Sequence, residues 1–275
     1  REPDSADVLL TKATWLINPA GRPAEAIPIL EEILLADPDH IWARSWLTKA
    51  WYMLGEFDRA YRMPWGVYHW RYVLSPDREE SLRQIQESQS IHEDIDFGRR
   101  IVASYAYVML RDWQGAVDLL SAESGDIELF TRTYCENFVL NESPALSLAT
   151  AYKALGDLEN FERFANLEQK AVNIRTSHGR LHNYEYSRTM ARLFALRGNS
   201  YEALLELERL VKKGPIDPRM LIHPALDSLR DDPRFLQLEQ IQHDRVNGER
   251  QKLDLPPLEP DNLLYPETTE NLVYR

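Results

Sequence analysis

Apolar residues recur along most of this chain at helical spacing, and the pattern is interrupted at regular intervals by glycine or proline. From Ala26 to Leu35 the alternation of apolar pairs with Glu31-Glu32 predicts an amphipathic helix, closed by Asp37-Pro38. Leu47 to Leu54, Gly55, and Phe57 to Tyr61 predict a helix, a tight turn and a second helix. Ala26 and Ala60 stand 34 residues apart, and so do Gly21 and Gly55. A self-similar period of that length is the signature of a repeat-built fold. Glycine suits the turn because it reaches positive φ without a Cβ clash.

The pattern returns three times. Ala103 to Tyr107 leads through Arg111-Asp112-Trp113 to Ala116, with arginine where the turn glycine is expected. Leu148 to Tyr152 leads to Gly156-Asp157-Leu158, with bulky Phe161 in place of the small residue of the second helix. Met190 to Phe194 leads to Gly198-Asn199 and Ala203, and Ser143-Pro144 reads as an N-cap with proline in the first turn. These residues resemble the tetratricopeptide repeat, in which small residues let two antiparallel helices approach closely. The resemblance implies an all-α fold, an α-α superhelix of about five helix pairs at residues 7–40, 41–74, 97–130, 142–175 and 184–217.

The expected organisation is two repeats over 1–74, an inserted helical segment at 75–96, and three repeats over 97–217 with an extra helix near 126–140. Capping helices at 218–254 and a Pro-rich tail at 255–275 complete it. Pro64 falls inside the second helix of the second repeat and is expected to break or kink it. In the cap, Asp232-Pro233 reads as a helix start, with Phe235, Leu238 and Ile241 as its apolar stripe. Pro224, Leu226, Leu229, Arg230, Asp232, Pro233, Arg234 and Phe235 resemble the end of bacterial tetratricopeptide sensor domains attached to adenylate cyclases or winged-helix regulators. That resemblance implies a bacterial, signalling-associated protein of the cytoplasm or periplasm. The tail, Pro-rich and polar with the apolar islands Leu263-Leu264-Tyr265 and Leu272-Val273-Tyr274, has the composition of a disordered segment; the alternative hypothesis is that it lies against the helices, with their groove as one candidate seat.

Composition narrows the function. A net charge of −12 disfavours direct nucleic-acid binding, which draws on neutralised phosphates. No apolar run is long enough to span a membrane. Arg1-Glu2-Pro3-Asp4 is no signal peptide, and a start at arginine suggests either a processed chain or an excised piece of a longer one, which leaves a removed leader or anchor open. The single Cys135 allows no internal disulfide. No phosphate loop, dinucleotide fingerprint, nucleophile elbow or His-Glu-x-x-His motif is present, so no catalytic residue is assigned and no enzyme activity is expected. His178 and His182 have metal-ligand spacing, but Gly179 lies between them and no third ligand is evident; His92-Glu93-Asp94 reads as exposed polar chain. No metal or cofactor is expected.

In the family the first helix of each pair lines the concave surface on which partners lie. Helical spacing puts Thr11, Trp15, Trp42, Ser45, Lys49, Tyr52, Tyr105, Lys153, Arg188 and Arg192 on that surface. Aromatic faces and basic heads there suit an extended or helical peptide with acidic and apolar groups. The bland alternative for Trp15, Trp42 and Tyr105 is packing between helices. The lysine–asparagine set by which some members clamp a C-terminal carboxylate is absent at the matching positions. Trp65, Tyr68, Trp70 and Tyr72 lie beyond Pro64, and form either a protein interface or homodimer seam, or packing beneath the 75–96 insertion. The expectation is a non-catalytic scaffold that binds a peptide or partner protein in its groove. The alternative is a sensory or self-associating domain of a larger signalling protein.

Overall fold

The structure is a computed structural model that describes residues 5–18, 20–62, 82–83, 97–121, 143–177, 183–213 and 219–259. Trp65, Tyr68, Trp70, Tyr72, Pro64, His92, Cys135, His178, His182, the helix expected near 126–140 and the tail beyond 259 lie outside those residues, as does the 75–96 insertion apart from Leu82-Arg83. Among the described residues every regular element is helical. The helices are α1 (Ala6–Ile17), α2 (Pro23–Ala36), α3 (Ile41–Met53), α4 (Phe57–Arg62), α5 (Phe97–Met109), α6 (Trp113–Ser121), α7 (Pro144–Leu155), α8 (Leu158–Ser177), α9 (Asn183–Leu196), α10 (Ser200–Lys213), α11 (Arg219–Ile222) and α12 (Pro233–Gln251). A 3-10 helix, Pro224–Leu229, precedes α12. Consecutive helices joined by short turns pack as pairs, the expected tetratricopeptide-like arrangement.

The turns explain the pairing. Gly21, Gly55, Gly156 and Gly198 all have positive φ, which lets the chain reverse directly after a helix. Arg111 takes the same left-handed conformation, at φ 59°, where a glycine would ordinarily stand. Its turn is closed by the Asp112 N–H donating to the Tyr107 carbonyl at 2.9 Å, and its guanidinium is tied to Asp227. Ser143 caps α7, its hydroxyl accepting from the Ala145 N–H at 3.2 Å, with Pro144 in the first turn.

Contacts divide the chain into two compact units: residues 1–77 with 209–222 and 233–275, and residues 78–208 with 223–232. Within the expected 218–254 segment, α11 and α12 thus fall in the first unit and the 3-10 helix in the second. In the first unit α1, α2 and α3 pack in succession around Ile17, Leu30, Ile33, Leu47 and Met53. Ala26 and Ala60 are buried where second helices approach first ones, as the 34-residue period predicts. Helix α12 lies on α2, and the Glu249 carboxylate accepts from the Ala24 N–H at 3.1 Å. A carboxylate at a helix N-terminus satisfies an orphan donor and suits the helix dipole.

In the second unit α5, α6, α7, α8 and α9 pack in turn, with Ala116 and Ala203 in the small-residue positions. Phe161 fills the corresponding place in the α7–α8 pair and is buried there, with the Lys153 ammonium 4.8 Å from its ring centre. The first eight residues of α7, Pro144 to Ala151, are all buried. A helix covered all round has no face left for solvent, so α7 forms the centre of this unit.

Candidate functional site

The first helices of the pairs carry the residues that helical spacing assigns to a binding surface, and the two units treat them differently. In the first unit α1 and α3 pack side by side. Trp15 on α1 keeps 56% of its surface exposed and Trp42 on α3 keeps 65%. Thr11 is exposed beside Trp15, and Ser45 is half-buried one turn after Trp42. Ile41, in the same first turn as Trp42, is equally exposed; it is a surface residue that helical spacing alone does not single out. Lys12, exposed on α1 one turn before Trp15, supplies a basic head.

Tyr52 and Lys49 do not join that surface. Tyr52 is buried in the first unit's core with its ring centre 5.4 Å from that of Phe57. Lys49 is buried, and its ammonium lies 5.0 Å from the Trp46 ring centre, a cation–π contact. The same ammonium lies 2.8 Å from the Asn18 side-chain amide, whose oxygen accepts from it in the amide orientation that satisfies both groups, tying the end of α1 to α3. Lys49 thus links the end of α1 to α3, while Tyr52 packs α3 against Phe57 at the start of α4.

In the second unit the surface predicted for a partner is filled by the chain itself. Tyr105, Arg188 and Arg192 are each no more than 3% exposed. The 3-10 helix Pro224–Leu229 packs on α9, which carries both arginines, and His223 stacks on the Tyr105 ring at 6.0 Å between centres. Asp227 bridges Arg111 and Arg230, the latter at 3.0 Å. Pro224, Ala225, Leu226 and Leu229 are buried. Of the residues assigned to the binding surface in this unit, Lys153 alone is exposed. The sequence contained the signal for this occupant: His223 to Asp232 combines apolar and acidic groups, the chemistry expected of the ligand.

His223 is the electrostatic centre of that plug. Its Nδ1 accepts from the Ala225 N–H at 3.1 Å, so that nitrogen carries no proton. Burial, and then the positive charges of Arg192, Arg188, Arg230 and Arg111, hold its imidazole well below the ordinary histidine range. As pH falls below about 6.5 the unfolded chain takes up a proton that the folded chain refuses. Stability from this group is therefore complete above that value. It is lost on acidification at up to ~1.4 kcal/mol per pH unit, until the depressed folded value is reached. Urea midpoints at pH 7.5 and 5.5 check this: the wild type should lose more stability between the two than His223→Asn, which keeps a capping acceptor and cannot titrate.

Among the described residues no group of three His, Cys, Asp or Glu side chains is placed to hold a metal ion, and no helix is long and apolar enough to cross a membrane. A tetratricopeptide repeat family model matches residues 20–63, which run from the turn after α1 through α2 and α3 into α4. That stretch includes Trp42 and the buried Lys49 and Tyr52. No curated protein and no solved structure matches the chain.

Proposed function

We propose that this chain, whose residues 20–63 carry the tetratricopeptide repeat, is a non-catalytic scaffold that holds a peptide or partner protein against the α1–α3 face of its first unit. Such repeats generally mediate protein–protein interaction. The observation that supports this reading is the exposure of Trp15 and Trp42 on the first helices of consecutive pairs. Tryptophans are frequent anchors of interfaces because a rigid ring covers a large area at low entropic cost. The exposed Lys12 near Trp15 favours a partner that offers carboxylates beside its apolar groups.

The reading moves the expected surface from a groove along all the pairs to one face of the first unit, because the second unit's counterpart is filled by His223 to Asp232. The double substitution Trp15→Ala with Trp42→Ala should leave folding intact, since both rings are mostly in water already. Loss of one interface anchor typically costs ≥2 kcal/mol. Capture of partners from the native organism by the two forms, quantified by mass spectrometry, should show a specific set lost with the tryptophans. An identical set recovered by the folded double variant would defeat the assignment.

A further inference from the structure

After α12 the chain turns back on itself. The Leu253 and Leu255 N–H groups both donate to the Arg250 carbonyl, at 3.0 and 3.2 Å, and Asp254 takes the left-handed conformation, φ 53°, that reverses the direction. Residues 255–259 then run antiparallel along α12, with Pro256 beside Arg250 and Leu258 beside Asn247 and His243. Asn247 engages both backbone groups of Leu258: its Oδ1 accepts from the N–H at 2.8 Å, and its Nδ2 donates to the carbonyl at 3.3 Å. The His243 Nε2 lies 2.8 Å from the same carbonyl and donates to it. The Arg250 Nε donates to the Pro256 carbonyl at 2.7 Å.

The Leu258 side chain has its own seat. It reaches Gly55 so closely that a Cβ there would stand 2.3 Å from Leu258 Cδ1, and with Leu255 it packs on the first unit's core. A side-chain amide pairing with both backbone groups of one residue, a second donor on its carbonyl and a leucine seat over a glycine are how a protein holds an extended peptide. Prolines between the leucines fit that use, since they pre-set an extended backbone and present carbonyls without N–H groups to satisfy.

The segment is seated on the surface. Pro256 and Pro257 are exposed, and Leu255 and Leu258 are half-buried, whereas Leu226 and Leu229 of the plug in the second unit are fully buried. Segments with few buried contacts open locally without unfolding their support.

We propose that His243, Asn247, Arg250 and the Gly55 turn form a binding site for an extended Leu-Pro-Pro-Leu peptide, occupied in cis by residues 255–258, and that it accepts the same segment in trans when the chain's own copy is displaced. The site is distinct from the tryptophan face proposed above. In the wild type the tethered segment competes at an effective concentration in the millimolar range, so an added peptide binds weakly. Leu258→Asp removes the cis leucine while leaving the receptor residues in place.

A fluorescently labelled peptide with the sequence of residues 253–259 is titrated by anisotropy against the full-length wild type and Leu258→Asp. The expected result is saturable binding to the variant, at least tenfold tighter than to the wild type. It should fall at least tenfold when Asn247→Ala is added, and should be unchanged by Trp15→Ala with Trp42→Ala. That last arm separates this site from the proposed partner face. A chain ending at Asp254 serves as a second vacated receptor. The proposal is overturned if neither folded form binds the peptide, or if Asn247→Ala leaves binding intact. It is equally overturned if both forms lose their helical circular dichroism, because residues 255–258 would then be part of the core.

Discussion

Glu168→Ala is expected to lower the stability of the folded protein by about 3–5 kcal/mol, the cost of breaking a buried ion pair from one side. Glu168 is fully buried on α8, and its carboxylate accepts from the Arg175 guanidinium at 2.9 Å, two turns further along the same helix. It also accepts from the hydroxyl of Ser143, the N-cap of α7. Alanine therefore leaves a buried guanidinium without this carboxylate and loosens the cap that starts the central helix of the second unit. Glu168→Gln, which can still accept from Ser143, should lose less. The pair Glu168→Leu with Arg175→Met removes both charges together and should recover most of the loss. Urea denaturation followed by circular dichroism separates the four forms; a Glu168→Ala midpoint equal to the wild type would contradict the account.

Arg250→Ala is expected to cost about 3 kcal/mol, from several charge-assisted hydrogen bonds lost together. The guanidinium is buried on α12, where it donates to the carbonyls of Leu54 and Pro256 and pairs with Glu56 at 3.0 Å. Leu54 follows the last residue of α3, where the helix dipole favours a cation. Glu56 is partly exposed and also has Arg59 at 3.4 Å, so it is not stranded when Arg250 is lost. That is why the effect should be smaller than for Glu168→Ala. Arg250→Lys should restore only part, because one ammonium cannot span partners that a planar fork reaches together. Hydrogen exchange at the Leu258 amide offers a second readout: it should quicken in Arg250→Ala well before global unfolding.

These two arginine sites also show where sequence reasoning stops. On α12 the expected stripe of Phe235, Leu238 and Ile241 is only partly the buried one. Phe235 and Leu238 are buried, but the stripe continues through Gln242, Val246, Glu249 and Arg250. Polar residues on a buried face look like a solvated surface in sequence, because periodicity counts apolarity and cannot see a distant carbonyl or carboxylate. Glu249 is buried because the N-terminus of α2 lies opposite it, and Arg250 because Leu54 and Glu56 do. Likewise, helical spacing put Tyr105, Arg188 and Arg192 on the proper helices. It carried no information on whether another segment would come to cover them.

The helix pairs, their turns and their close-approach alanines were legible because each depends on local physics. Glycine at a left-handed turn, proline in a first turn and a 3.6-residue apolar repeat act within a few residues of themselves. Even the exception at Arg111 was visible in sequence as a missing glycine, although the tie to Asp227 that accompanies it was not. Which tryptophans remain in water, which cations are buried and which stretch of the chain fills the second unit's face were decided by contacts between residues far apart in sequence. A binding surface is what remains after those contacts form. The sequence by itself determined the repeat; tertiary packing decided that Trp15 and Trp42 stay open while the plug around His223 and the seat around Leu258 are taken.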